Sequence, residues 1–180
     1  MGLTVCAWGD ARTKLTLRRI FRSGPASESG ERVCMSDFTI DIDVDAPQQT
    51  VFNYLADGTR TPEWYEAVRS AVKTSEGSTG KGTRFIFNRV LPQGEVVNEV
   101  EIAEFREPDL VTFASKSGLT QFVYRYRVEP TAAGSRVILE GSITGEGLTG
   151  PTALLAPFAG KLFARGMTEN LKMLKTRLAK

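Results

Sequence analysis

The chain has 180 residues, of which 41% are hydrophobic and 24% charged, and this composition fits one soluble domain with a sizeable core. Its net charge is +2. Residues 1–34 carry six basic and three acidic groups, so the rest of the chain is nearly neutral and has no basic stripe for nucleic acid.

Histidine is absent, which removes the commonest general base and metal ligand, so we expect no metal and no cofactor. Both cysteines, Cys6 and Cys34, precede the predicted folded body, and this position favours a reduced, cytoplasmic protein. No apolar run is long enough to span a bilayer, so we expect no stable membrane insertion.

Residues 1–34 have little hydrophobic periodicity, and Ser23–Gly30 (SGPASESG) has the composition of a loop. At Met35 the pattern changes abruptly to strand alternation. We therefore predict that residues 1–34 are a disordered extension or a mis-called start, and that residues 35–180 form the folded domain. A basic tail that binds a membrane or a partner protein is the alternative.

The segment Phe38–Asp45 (FTIDIDVD) alternates apolar and polar residues, which predicts a half-buried strand with its aspartates in water. Ala46-Pro47 then predicts the start of a short helix, and Thr61-Pro62 the start of a second one.

Six more strands are predicted from alternation and from the Gly- or Pro-containing separators between them, which favour antiparallel connections. They are Val68–Thr74, Thr83–Leu91, Glu95–Arg106, Leu110–Ser115, Gln121–Glu129 and Arg136–Gly145. Pro151–Leu178 has apolar residues at helical spacing, which predicts a long amphipathic helix able to cover one face of the sheet.

This order of elements is that of the helix-grip fold. Four segments carry a more specific signal: Val51–Trp64 (VFNYLADGTRTPEW), Gly80–Gly82 (GKG), Phe105–Phe113 (FREPDLVTF) and Gly134–Leu139 (GSRVIL). In them the chain resembles the SRPBCC superfamily, which is START-related and pollen-allergen-like, and more narrowly its bacterial polyketide cyclase/dehydrase and lipid-transport proteins. The resemblance implies an α+β fold in which a seven-stranded curved antiparallel sheet wraps around the C-terminal helix, with two short helices after strand 1. It also implies a hydrophobic cavity and no universal catalytic residue.

Aromatic residues that share a strand face by parity are the candidate ligand-binding residues, together with three residues of the C-terminal helix and one of the second short helix. They are Trp64, Phe85, Phe87, Phe113, Phe122, Tyr124, Tyr126, Phe158, Phe163 and Met167. Each could instead be ordinary core. Tyr124 and Tyr126 are the stronger candidates, because a buried phenol needs a polar partner. The sequence identifies no catalytic residue.

We therefore expect a monomer or homodimer that binds a small hydrophobic molecule, such as a lipid, polyketide or aromatic metabolite, between the sheet and the C-terminal helix. One alternative is a metal-free cyclase or dehydratase in which Tyr, Arg or Glu side chains of the same cavity move protons. A protein-interaction module is the other alternative.

Overall fold

The computed structural model describes residues 15–16, 33–91, 94–115, 117, 120–145 and 156–179. Two helices and a 3₁₀ helix accompany the sheet: α1 (Gln48–Ala56), the 3₁₀ helix (Gly58–Glu63) and α2 (Ala156–Leu178). The strands are β1 (Leu15–Thr16), β2 (Val33–Val44), β3 (Val68–Lys73), β4 (Arg84–Leu91), β5 (Gly94–Arg106), β6 (Leu110–Ser115), β7 (Thr120–Thr131) and β8 (Gly134–Gly145).

The strands form one antiparallel sheet in the order β1-β2-β8-β7-β6-β5-β4-β3. The seven strands from β2 to β8 match the predicted ones, and two short helices follow the first of them, so the predicted helix-grip α+β fold is confirmed. The second short helix is a 3₁₀ helix. β1 pairs with β2 through Leu15 and Thr16, which adds a two-residue strand at the sheet edge.

Alternation along the strands sends one set of side chains to a buried inner face. On β4, Phe85, Phe87 and Arg89 point inward, whereas Arg84 and Asn88 are exposed. The inner sides of β5, β6 and β7 continue this face, and their side chains join the helices in one hydrophobic core.

Helix α2 packs its apolar stripe on this core and contacts β2. Ala164, Met167, Leu171 and Leu174 are all buried, at the spacing of one helix face. The described part of the chain contains no helix long and apolar enough to cross a membrane.

The short connection between α1 and the 3₁₀ helix is fixed by Asp57 and Gly58. The Asp57 carboxylate accepts hydrogen bonds from the backbone N–H of Thr59 at 3.1 Å and from its hydroxyl at 2.6 Å. A Cβ at Gly58 would lie 2.9 Å from the Phe85 ring, so only glycine allows the chain to pass this close to β4. The turn thus brings the residues that follow it against the inner face.

Candidate functional site

A cavity lies between the inner face of β4, β6 and β7 and the end of the 3₁₀ helix. It is lined by Thr61, Trp64, Tyr65, Phe87, Arg89, Phe113, Phe122, Tyr124 and Tyr126. Six of these nine residues are among the ten predicted from the sequence.

The cavity is small. Its volume is about 10 Å³, counted as the space open to the centre of a water molecule. A single buried water needs roughly 10–15 Å³ by this measure, so the cavity holds about one water. The aromatic rings fill most of the interior: Phe122 stacks on Tyr124 with 4.6 Å between ring centroids, and Trp64 meets the Tyr126 ring edge-on at 6.1 Å.

Arg89 is the unexpected component of this aromatic interior. Its side chain is 1% exposed, and among the described residues no carboxylate forms an ion pair with it. The guanidinium carbon lies 5.0 Å from the centre of the Phe122 ring and 5.8 Å from that of Tyr65. Two guanidinium nitrogens donate hydrogen bonds of 3.3 Å, one to Asn98 Oδ1 and one to the Tyr65 hydroxyl.

The Nε of Arg89 is buried and has no hydrogen-bond partner among the described residues. A buried charge of this kind is costly unless paired, and an unsatisfied buried donor costs about 1–3 kcal/mol more. A buried donor without a partner needs an explanation, and a bound ligand is one that fits a cavity beside it.

Asn98 and Ser115 continue the set of polar groups that begins at Arg89 on the inner face of the sheet. Asn98 lies on β5, is fully buried, and donates from Nδ2 to the Ser115 hydroxyl at 3.0 Å and to the Ser117 carbonyl at 2.7 Å. The Ser115 hydroxyl also donates to the Ser117 carbonyl at 3.1 Å. One end of the aromatic interior is therefore polar, and it is connected to the turn between β6 and β7.

Tyr65 links Arg89 to Tyr124. Their hydroxyls lie 3.3 Å apart, and Tyr65 also accepts from Arg89. Burial raises the pKa of Tyr124 well above its usual range, with a further contribution from Tyr65. Burial likewise raises the pKa of Tyr126. Both phenols are therefore proton donors and not bases near neutral pH.

The structure places three of the other four predicted site residues outside the cavity lining. Phe85 is buried in the core, with its ring 6.0 Å from that of Phe87 and 6.1 Å from that of Phe113. Met167 is buried, and Phe163 is half-buried against the core. Phe158 belongs to α2, and its side chain lies outside the described part of the structure.

None of the α2 side chains that the structure describes, from Phe163 onward, lines the cavity. Trp64 contacts Tyr126 of the sheet, while the backbone N–H of Glu66 donates to Asn170 of α2 at 3.2 Å. The sequence pattern predicts a cavity between the sheet and the C-terminal helix. The observed one lies between the sheet and Thr61–Tyr65.

Sequence reasoning missed Thr61, Tyr65 and Arg89. Parity offered a signal for Arg89, since it stands two residues after Phe87 on the same strand face. Tyr65 and Thr61 lie in a segment without regular alternation, where position on the chain does not predict direction. Arg89 was missed because arginine is rarely fully buried.

A second, open cleft of about 270 Å³ lies near α1 and the end of β5, lined by Phe52, Asn53, Ala56, Asp57, Thr79, Phe105 and Glu107. Within the described ranges, no group of His, Cys, Asp and Glu side chains could hold a metal ion.

Comparison with known proteins assigns the family. Residues 35–179 match the family model described as polyketide cyclase / dehydrase and lipid transport. The chain belongs to the polyketide cyclase / dehydrase and lipid transport family. A search of curated protein sequences finds no match.

Solved structures agree with the fold of this family. The protein TTHA0849 from Thermus thermophilus superposes with a TM-score of 0.68 at 20% identity, covering 79% of this chain and 97% of its own. A START superfamily protein from Mycobacterium smegmatis gives 0.66 at 14% identity, covering 79% and 97%. The di-domain ARO/CYC StfQ from the steffimycin biosynthetic pathway gives 0.63 at 14% identity, covering 79% of this chain and 50% of StfQ. At these identities the similarity establishes the fold alone.

Proposed function

We propose that this protein binds a small, largely hydrophobic molecule in the aromatic interior beside Arg89. The observation that carries the proposal is the buried guanidinium in a cavity lined mainly by aromatic rings, with no carboxylate partner among the described residues. An apolar site with a few convergent polar groups is the usual form of a small-molecule site. Family membership is compatible with such binding.

Arg89 also suggests which part of the ligand lies at the polar end. Its unpartnered Nε and its two long hydrogen bonds leave the guanidinium able to bind an oxygen acceptor more strongly. A carboxylate, a phenolate or the carbonyl of a polyketide has the required acceptor. The aromatic rings would then contact the apolar body of the ligand.

Binding must open the interior. A cavity of about 10 Å³ is far smaller than the roughly 300–1,000 Å³ of typical ligand pockets. Entry therefore requires aromatic side chains, or the segment Thr61–Tyr65, to move away from the sheet. The described structure corresponds to a closed state, and a ligand would bind by stabilising a more open one.

A cyclase is the second candidate, because Arg89, Tyr65 and Tyr124 form a hydrogen-bonded chain. In a ring-forming aldol reaction, Arg89 would stabilise the enolate oxygen of a bound polyketide, and a neutral phenol could protonate the alkoxide that forms. The described residues lining the cavity include no Asp, Glu or His that could act as the base. This composition favours binding over catalysis.

The test is a titration of the purified protein with N-phenyl-1-naphthylamine, a neutral dye that fluoresces in apolar surroundings. We expect saturation near one dye per chain. Native mass spectrometry of the same sample should detect any small molecule that co-purifies. Tyr124→Trp adds bulk inside the cavity and should weaken dye binding by about tenfold, because the dye loses space that it needs.

Val123→Trp is the matched control, since Val123 is the neighbouring residue on β7 and is 44% exposed on the outer face. It should leave dye affinity unchanged. Absence of saturable dye binding together with absence of a co-purified ligand would contradict the binding function. Dye binding accompanied by turnover of a model polyketide would favour the cyclase.

A further inference from the structure

The side-chain amide of Asn98 has only one possible orientation. The Ser117 carbonyl, 2.7 Å from Nδ2, can only accept a hydrogen bond. The Arg89 guanidinium, 3.3 Å from Oδ1, can only donate one. The amide nitrogen must therefore face the β6–β7 turn, and the amide oxygen must face Arg89.

This orientation gives Arg89 a neutral partner at a position where a carboxylate would fit. Two arginines on the outer face have carboxylate partners instead. Arg125 contacts Glu104 and Glu140 at 3.1 Å each, and Arg136 contacts Asp43 at 2.8 Å. On the inner face, Asn98 holds the guanidinium by a hydrogen bond without neutralising its charge.

A neutral partner has a functional consequence. An aspartate has nearly the same size as an asparagine, and at this position it would form an internal ion pair with Arg89. An acidic ligand would then have to compete with that carboxylate. With an amide in its place, the positive charge remains free to attract the acidic group of a ligand.

We propose that Asn98 is the positioning residue that makes this site prefer acidic ligands to neutral ones of the same shape. It aims the guanidinium by accepting from it, and it is itself fixed by Ser115 and Ser117. The ligand class is therefore a hydrophobic molecule with a carboxylate or similarly acidic oxygen. This inference rests on the proposed function, since it concerns selectivity at the same site.

The experiment compares decanoate with decan-1-ol, which differ in charge and have the same number of carbon atoms. Each competes with bound N-phenyl-1-naphthylamine at neutral pH. The measured quantity is the half-displacement concentration of decanol divided by that of decanoate. For the wild type we expect decanoate to displace the dye at a concentration about tenfold below that of decanol. In Asn98→Asp the half-displacement concentration of decanol divided by that of decanoate should fall from about ten to about one.

Asn88→Asp is the matched control. Asn88 lies on the outer face of β4, is exposed, and bonds to Ser70 at 2.7 Å, so the same chemical change occurs away from the cavity. It should keep the wild-type ratio. Because Asn98→Asp also places an oxygen against the Ser117 carbonyl, cooperative urea unfolding must be verified. If that variant does not fold, Asn98→Ala takes its place and should also lower the ratio, since Arg89 is no longer held.

The outcomes separate the two proposals. Dye binding without any preference for decanoate in the wild type would overturn the role of Asn98 and leave the binding function standing. An unchanged preference in a folded Asn98 variant would also overturn it. Failure of the wild type to bind the dye would overturn the proposed function itself.

Discussion

The hydroxyls of Tyr65 and Tyr124 lie 3.3 Å apart in the core and join the segment after the 3₁₀ helix to strand β7. Tyr124 is 2% exposed, and burial raises its pKa well above the usual value of 10.0. Tyr126, two residues along the same strand, is buried to the same extent, and its pKa is raised for the same reason. These two phenols make the stability of the protein sensitive to alkaline pH.

We predict that ionisation of these two phenols leaves the free energy of unfolding unchanged below pH 10 and lowers it above pH 10. The folded state keeps both phenols protonated, whereas the unfolded chain loses their protons from its pKa of 10.0 upward. Each phenol should contribute about 1.4 kcal/mol of lost stability per pH unit well above that value. Urea unfolding at a series of alkaline pH values measures the slope.

Tyr126→Phe should make this slope shallower by the contribution of one phenol. Its slope at neutral pH should equal that of the wild type, which serves as the internal control. Equal alkaline slopes in both proteins would show that Tyr126 ionises as easily in the folded state as in the unfolded chain.

Leu171→Ala and Leu174→Ala should each lower the free energy of unfolding by about 2–5 kcal/mol, as removal of buried leucine side chains does. Both residues are fully buried on the face of α2 that packs on the core. Met173→Ala is the control on the same helix, because Met173 is 44% exposed, and it should cost less than about 0.5 kcal/mol. Comparable losses at all three positions would mean that α2 is not anchored by this face.

Gly141 on β8 permits the close approach of Phe38 on β2. A Cβ at Gly141 would lie 2.2 Å from the Phe38 ring, so Gly141→Ala forces the ring to move in a packed core. We expect a cost of about 1–3 kcal/mol. The cost should shrink in a Phe38→Leu background, because the two positions are in contact.

Gly166→Ala provides the contrast. Gly166 is an exposed residue of α2, and its Cβ would meet no heavy atom within 4 Å. Alanine there should stabilise the protein by about 0.4–1 kcal/mol, since the unfolded chain loses conformational freedom. Chemical denaturation of the four variants tests both statements. Equal effects of Gly141→Ala and Gly166→Ala would show that the Phe38 contact does not limit position 141.

The fold was predictable because its signals are local. Alternation in Phe38–Asp45 and helical spacing in Pro151–Leu178 are properties of short windows. The first lies in β2 and the second corresponds to α2 from Ala156 onward, while residues 151–155 lie outside the described part of the chain. The local pattern does not determine where a strand stops: β2 begins at Val33, five residues before the predicted start, because Val33 and Cys34 pair with residues of β8.

The candidate site was predictable only in part, because its geometry depends on contacts between distant residues. Parity places Phe87 and Tyr124 on the inner face, and the structure confirms their burial. The volume left between them depends on how rings from separate strands interlock, and no window of sequence contains that information. Asn98 illustrates the limit. The pattern of its strand does not decide which face its side chain lies on, and its hydrogen bonds join Arg89 on β4 to Ser117, which follows β6.

We predict that a variant starting at Met35 melts within a few degrees of the full chain. Removing residues 1–34 deletes β1 and the first two residues of β2, whereas all the core residues whose burial is described, from Phe38 onward, remain. Thermal unfolding followed by circular dichroism compares the two proteins. A variant starting at Gly30 keeps the pairing of Val33 and Cys34 with β8 and so separates their contribution from that of β1. Loss of most of the stability in the shorter variant would show that the segment packs on the domain.

Arg89 serves either stability or binding, and its removal distinguishes the two. A buried charge that serves the fold is destabilising to remove, typically by about 3–5 kcal/mol when its partner is left behind. Arg89 lacks a charged partner among the described residues, and its Nε is unsatisfied, so removing it relieves a desolvation cost while leaving only neutral acceptors behind.

Arg89→Met keeps the unbranched stem and removes the charge, and we expect it to cost less than about 1 kcal/mol or to stabilise the protein. The same variant should lose the preference for decanoate over decan-1-ol, because no cation remains to attract the carboxylate. Urea unfolding and dye competition on one sample give both numbers. A loss of about 3–5 kcal/mol would make Arg89 a structural residue. A near-neutral effect on stability combined with lost selectivity would show that the buried charge serves ligand recognition, since the fold would then not depend on it.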